Sequence, residues 1–482
     1  IVKATFTAGS GGTGCTDEYQ YSVNGGSTWN NYSPGNNISA TTIGNNAIQI
    51  RTRRSCSGLG CDGPGTTWDV KAQWTVVPDP TAPTLSVATP SNGNEVCVGG
   101  IVKATFTAGS GGTGCTDEYQ YSVNGGSTWN SYSPGSNITA TTTGANAIQI
   151  QTRRPCSGIG CDGAGTTWTT KAQWTVVANP SITVSGATTM CPGLNTNLTA
   201  NGSGGTGTST YQWQYYNGSS WINVGTNSSA YTTDNLINST DFRCIYSTNG
   251  TGCTDANSNT VTVTIQTPNT ADLSSNDYVW YGSGSTNWTT ASNWLKYDGT
   301  NFSTASTIPT VNDNVLITHF GTPSTCVSNL PYVAVASGEC NSIKINPNAQ
   351  VFINNSKKLT IKGNLNNAGT ITSNNGSIDI AGNWTNTGTF NSDTGTVKFN
   401  GTSTQVIKAG SSAFNNVVFN NTASGIYDIN ITQPCTINGT ATFTNGVVGF
   451  MTTGTLSFGA SASSNIGNAN SYVNGVISKT GT

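Results

Sequence analysis

Two short stretches combine residue types that could do chemistry. Cys56-Ser57-Gly58-Leu59-Gly60-Cys61 and Cys156-Ser157-Gly158-Ile159-Gly160-Cys161 each set two cysteines five residues apart in a glycine-rich turn, behind Arg53-Arg54 or Arg153-Arg154. Sulfur in such a turn serves as a metal ligand, a redox pair or two halves of two different disulfides. A metal site needs four converging ligands, and neither a second closely spaced cysteine pair nor a histidine other than His319 is at hand to complete one. No cofactor or metal site and no catalytic residue is therefore expected. The cysteines are read as structural disulfides.

Internal repetition says how they pair. Residues 1–78 align without gaps on 101–178 and differ at twelve positions, which gives a period of 100 residues. A diverged third copy follows, in which Thr208 stands for Cys115, Thr248 for Cys156, Cys253 for Cys161 and Cys191 for Cys97. Two cysteines vanish together and two survive together. The economical pairing is Cys15 with Cys56, Cys115 with Cys156, Cys97 with Cys161 and Cys191 with Cys253. Cys326 and Cys340, fourteen apart, form a fifth expected bridge, while Cys244 and Cys435 have no evident partner. The first copy lacks the stretch corresponding to 81–100, so its sandwich is expected to miss its N-terminal strand or strands and to leave Cys61 unpaired. The parent chain is expected to continue upstream and supply them, with strand addition from another chain as the alternative.

The elements that must position these sulfurs are strands. Period-two alternation broken by Gly, Asn and Pro runs through "EYQYSVNGGSTW", "NAIQIRTRR" and "AQWTVV", and no stretch has helical period and length. Seven or so strands in about 90 residues point to immunoglobulin-like sandwiches. A Cys15–Cys56 bridge across antiparallel strands sets Asp17 against Arg54, Glu18 against Arg53, Tyr21 against Ile50 and Val23 against Ile48. The arginines are then read as cross-strand ion pairs rather than as a patch for an anionic glycan. Gln151, which replaces Arg51 and faces Gln120, fits a solvated face.

Past residue 277 the pattern changes. Leu359, Ile378 and Val397, and with them Gly363, Gly382 and Gly401, recur every 19 residues, which reads as a right-handed parallel β-helix with two strands per turn and asparagines stacked at its corners. Trp280, Trp288 and Trp294 are candidates for stacking on sugars, but capping the open apolar end of the helix is the expected role. The organisation is all-β: sandwiches over 1–79, 80–178 and 179–266, a linker over 267–277, and a C-terminally incomplete β-helix over 278–482.

Composition narrows the function. Lys and Arg number 18 against 20 Asp and Glu, a net charge of -2, which gives no electrostatic case for nucleic acid. No apolar run approaches a membrane span. Thirteen cysteines in a chain only 8% charged suggest an oxidising extracytoplasmic compartment. Asp379, Asp393 and Asp428 are the acids after residue 340, and Asp379 and Asp393 fall at different phases of the coil. The alternative is a polysaccharide-binding or polysaccharide-active β-helix protein, and the spacing of these acids disfavours its enzymatic form, which needs a clustered acid pair.

The copies, with "CVGGIVKATFTAGSGGTG", "YSVNGGSTWNSYSPGSNI" and "IQIQTRRPCSG", resemble repeats of large secreted surface proteins of Bacteroidota, gliding-motility adhesins among them. The third copy ("CPG", "YQWQ", "NGTGCTDANSNTVTVT") is similar to the Ig-like modules of those proteins, and the pattern from Trp280 to Ile317 resembles the start of their β-helical regions. The resemblance implies a non-enzymatic stalk with a β-helical display region at the cell surface, exported by the type IX machinery. The partners it implies are surface glycans or other cell-surface proteins.

Overall fold

The computed structural model describes residues 1–319, 326 and 329–480. The chain is all-β, and among the described residues the helices are four single 3-10 turns of three residues each. None is long and apolar enough to cross a membrane. Two compact units share the chain: Ile1–Thr183 with Asn201–Tyr211 and Ile245–Ser258, and Val184–Ala200 with Gln212–Cys244 and Asn259–Thr482.

The second copy is a complete sandwich. One sheet joins Ile138–Thr139, Ile101–Thr107 and Thr84–Thr89; the other joins Glu95–Cys97, Thr169–Val177, Gly144–Arg153, Glu118–Ser122 and Asn130–Ser131. Alternation delivers one face of each strand to the interior, where Val96, Val102, Ile148, Ile150 and Trp174 are buried and Leu85 and Ala88 pack against them. Trp174 finds a partner for its indole N–H in the Pro90 carbonyl at 2.9 Å. The Tyr132 hydroxyl donates to Ala104 O and accepts from Ala104 N, both at 2.9 Å, so the turn after it is tied to the opposite sheet.

The first copy has the larger sheet, with order Asn30–Asn31, Cys15–Ser22, Gly44–Cys56 and Asp69–Val76. Opposite it, among the described residues, strand pairing is limited to the bridge between Val2 and Ile38. Thr52, Ala72, Trp74 and Val76 are half-buried, whereas their counterparts Thr152, Ala172, Trp174 and Val176 are fully buried. The Asn24-Gly25-Gly26 turn runs with φ of 65° and 89° at the two glycines, which closes the pairing of Cys15–Ser22 with Asn30–Asn31.

The ladder between Cys15–Ser22 and Gly44–Cys56 places Cys15 opposite Cys56, Asp17 opposite Arg54, Glu18 opposite Arg53 and Tyr21 opposite Ile50. Arg54 binds Asp17 at 2.8 Å and Arg53 binds Glu18 at 2.7 Å. Gln151 and Gln120 exchange the ion-dipole contact of Arg51 and Gln20 for an amide pair at 3.0 Å.

The third sandwich contributes strands to both units. Ser181–Ser185, Asn197–Ser203 and Ala230–Thr232 form one sheet, and Thr188–Met190, Val261–Ile265, Thr240–Thr248, Ser209–Tyr216 and Trp221–Val224 form the other.

From Tyr278 the second unit is a β-solenoid. Its entrance is antiparallel, Tyr278–Trp280 against Trp294–Tyr297, and its body is parallel. Leu359 lies opposite Ile378, and Ile378 opposite Val397, so the step of 19 residues is the height of one coil. Other coils are longer, with Ile343 opposite Leu365, Trp384 opposite Ile407 and Val417 opposite Ala441. Each regular coil has three strands rather than two: Lys358–Ile361, Leu365–Asn367 and Thr370–Thr372 enter three different sheets. Gly363 and Gly369 make the two corners that split what reads as one run. A Cβ on Gly382 would stand 2.2 Å from the Gly363 carbonyl, so the stacked corners admit only glycine.

Short strands leave little apolar interior per coil, and buried amides complete it. Asn367 donates to Asn386 Oδ1 at 2.7 Å, and Asn386 donates to Ala409 O at 3.0 Å. Gln405 is 1% exposed and fully satisfied: Nε2 reaches Ile380 O and Gly382 O, and Oε1 accepts from Gly401 N and Asn421 Nδ2. Gln405→Leu keeps the volume but leaves Gly401 N and Gly382 O without their buried partner, while Ile380 O keeps Asn400 N and Asn421 Nδ2 keeps Ser403 O, so the solenoid should lose about 2–4 kcal/mol in urea unfolding followed by Trp384 fluorescence. The same change at exposed Gln73 should be neutral within experimental error.

The carboxyl of Asp17 is held below its ordinary value of 3.8, first by the Arg54 hydrogen bond and then by the Gly9 N–H. A depressed folded-state value means stability that is complete above the ordinary value and is lost as pH falls through the lower one. In calorimetry between pH 7 and pH 2, the Asp17→Asn variant should show a shallower acid drop in melting temperature than the parent. Parallel curves would contradict the assignment.

Candidate interaction site

The sulfur atoms define the site. Cys15 is bonded to Cys56 and Cys115 to Cys156, each closing 41 residues between paired strands. Cys97 is bonded to Cys253 rather than to Cys161, and Cys191 to Cys326 rather than to Cys253. Cys340 does not bond Cys326; it is a thiol inside the solenoid, where burial raises its pKa, as it raises that of Cys435 to about 12. Cys61 and Cys161 are half-buried thiols.

Strand direction explains the difference. Glu95–Cys97 runs parallel to Thr169–Val177, with Cys97 opposite Val177, the last residue of the second copy's final strand. The sulfur is thereby delivered to the end of its own sandwich where the next one begins. Loss and retention of cysteines shows which depend on one another, not whether both lie in one domain.

Around this bridge the backbones meet closely. Cys97 N donates to Thr251 O at 2.9 Å, Asn179 Nδ2 to Val98 O at 3.1 Å, and Thr206 Oγ1 to Glu95 Oε2 at 2.8 Å. A Cβ on Gly252 would fall 2.1 Å from Gly100 Cα, so glycine is required on the receiving loop. On the chain-entropy model, a cross-link over the 156 residues between Cys97 and Cys253 contributes roughly 5 kcal/mol, against roughly 4 for the 41-residue loops.

The Cys191–Cys326 bridge serves the third copy in the same way within the second unit. Beside it the Tyr281 hydroxyl donates to Pro192 O at 2.5 Å. Asn238 Nδ2 donates to Phe302 O at 2.9 Å, and Phe302 N to Asn238 Oδ1 at 3.1 Å.

A cleft of about 610 Å³ opens on the first copy, lined by Phe6, Gly9, Asp17, Thr52, Arg54 and Gly65 among others. In the second copy the corresponding surface is covered by the chain's own residues 80–83. A Cβ on Gly165 would stand 2.1 Å from Pro80 O, Thr152 Oγ1 donates to Pro83 O at 2.8 Å, and Thr81 N donates to Ser110 O at 2.8 Å. The cleft therefore has the shape of a strand's seat rather than of a small-molecule pocket.

The remaining candidates are occupied by structure. Trp280, Trp288 and Trp294 are each 0% exposed, packed edge to face with centroids 4.9 and 4.7 Å apart, and they cap the solenoid; no ring face is presented to a sugar. Arg51 stacks over Trp29 and Trp68 at 4.0 and 4.6 Å, and with Arg53 and Arg54 ion-paired the basic run is internally matched. Cys15, Cys56 and Cys61 bring three sulfurs within 4.8 Å, but two of them form a disulfide and are not thiolate ligands. Asp379 pairs with Lys358 at 3.5 Å, and Asp428 accepts from Val447 N at 2.8 Å. Asp393 holds a turn with φ of 43°. His319 Nε2 lies 2.7 Å from Asn348 O.

No curated protein matches the chain. Among solved structures, it is similar to a marsupial T cell receptor at 14% identity and a TM-score of 0.27, over 39% of this chain and 75% of that one. It is also similar to the fibronectin(III)-like modules of CbhA from Clostridium thermocellum at 14% identity and a TM-score of 0.19, over 38% of this chain and 94% of that one. A family model described as a domain of unknown function, DUF8696, matches residues 180–267, the span of the third sandwich.

Proposed function

We propose that the chain is a non-enzymatic structural segment of an extracellular cell-surface protein, in which the sandwiches form a stalk and the β-solenoid a rod or display surface. Four disulfides fit an oxidising setting outside the cytoplasm. Sequence resemblance supports the finer reading, a gliding-motility adhesin of Bacteroidota exported by the type IX machinery, with surface glycans or other surface proteins as partners.

The observation that carries the mechanical reading is the overlap of two long-range bridges. Cys191 lies between Cys97 and Cys253 in sequence, and Cys253 lies between Cys191 and Cys326. Tension entering at Cys97 reaches Cys326 through either bridge, so most of the intervening chain is shielded from it. A load-bearing stalk benefits from that redundancy; a free-standing enzyme does not need it.

Single-molecule stretching from both ends tests this. Cys97→Ser or Cys191→Ser alone should change the fully extended length by less than about 100 Å, because the other bridge still carries the load at about 3.5 Å per residue. The double variant should lengthen by on the order of 400–500 Å on the same scale. A single substitution that releases the full increment would overturn the load-sharing role.

A further inference from the structure

We propose that Cys161 is the receiving thiol of an inter-repeat disulfide, and that its partner is the cysteine of a strand with the pattern of residues 81–100, seated on the first sandwich. This goes beyond the stalk reading by assigning a covalent docking site and the segment that fills it.

Three observations converge on it. The bond between Cys97 and Cys253 shows the donor–receiver geometry, and Cys253 occupies in the third copy the place that Cys161 occupies in the second. The receiving loops already share one conformation. Gly160 and Gly252 both have φ of 76°, and Cys161 N and Cys253 N close the same turn onto Gly158 O and Gly250 O at 3.3 and 3.2 Å. The strut behind the loop is shared as well: Gly112 N binds Pro78 O, and Gly205 N binds Ala178 O, both at 2.8 Å. The space that Gly100 fills beside Gly252 is open beside Gly160.

The cleft on the first copy supplies the seat. A segment like 81–100 placed there would pair with 1–7 as Thr84–Thr89 pairs with Ile101–Thr107. Its Glu-Val-Cys would then run parallel to the end of Asp69–Val76, as Glu95–Cys97 runs beside Thr175 to Val177. That delivers its sulfur to the loop of the second copy, not to Cys61 of the first. One contact is lost in the transfer, because Asp79 stands where Asn179 donates its amide.

Bond formation is a thiol–disulfide exchange. The Cys161 thiolate attacks the donor cysteine's sulfur in a mixed disulfide. The new S–S bond forms, the old one breaks, and the leaving thiolate takes up the proton released by Cys161. In the cell, a disulfide-carrying oxidoreductase would supply the mixed disulfide and accept the two electrons.

The test adds a synthetic peptide of residues 81–100, its cysteine carried as a mixed disulfide with glutathione, to the intact oxidised protein. Peptide mapping without reduction should place the peptide on Cys161, with glutathione released, at least tenfold faster than for a scrambled peptide holding the same cysteine. Amide exchange over residues 1–7 should slow on capture. Cys161→Ser should abolish covalent capture while the four existing bridges and the near-UV spectrum stay as in the parent. Attachment to Cys61, equal rates for the scrambled peptide, or no attachment would each overturn the proposal.

Discussion

Cys97 leaves its own sandwich to bond Cys253, and much of the rest of the structure is arranged to let it do so. The strand that carries it must run parallel to the last strand of its domain, so that its end, rather than its middle, meets the next domain. The receiving loop must be glycine at Gly252, since any side chain there would collide with Gly100. The neighbouring bridges Cys15–Cys56 and Cys115–Cys156 have a humbler task, stapling two adjacent strands at their ends where fraying would otherwise begin. Two kinds of disulfide thus coexist in one repeat: one holds a sheet together and the other holds sheets of successive domains together.

With only 8% of residues charged, the molecule relies on neutral hydrogen bonds for tasks that ion pairs often perform. In the solenoid, stacked Asn367 and Asn386 and the buried Gln405 tie one coil to the next through side-chain amides that need no counter-charge. A buried amide is costly when unpaired and favourable when fully paired, so each such residue also fixes the register of the coils around it. The arginines of the sandwiches follow the same economy, each matched across the sheet to an acid or laid over an indole ring.

Local geometry was the part of this structure most legible in the sequence. Alternation and the hypothesis of a Cys15–Cys56 bridge were enough to place Asp17 against Arg54 and Tyr21 against Ile50, because a period of two leaves only one register in which acids meet bases and apolar meets apolar. The step from Leu359 to Ile378 likewise announced the coil. Long-range choices were less legible. The partner of Cys97 depends on where a strand ends relative to a neighbouring domain, and that of Cys191 on the entrance of the solenoid; neither leaves a periodic trace. The third face of each coil was hidden because strands of three residues, such as Leu365–Asn367, are too short to display alternation. The tryptophans were legible as a cluster, and the structure decides their role through complete burial.

A junction in which donor and receiver belong to different copies has a consequence for how such a protein changes length. Because donor cysteines (Cys97, Cys191) and loop cysteines (Cys161, Cys253) each occur once in the second and third copies, adding or removing a whole copy between them would exchange one such junction for an equivalent one. The covalent unit is then staggered against the folded unit: a sandwich is bounded by its sheets, whereas the unit that can be counted, inserted or deleted runs from one sandwich's donor strand to the next one's loop. Cys326, at the entrance of the solenoid, receives the last donor, Cys191, and so closes the series without being a repeat itself.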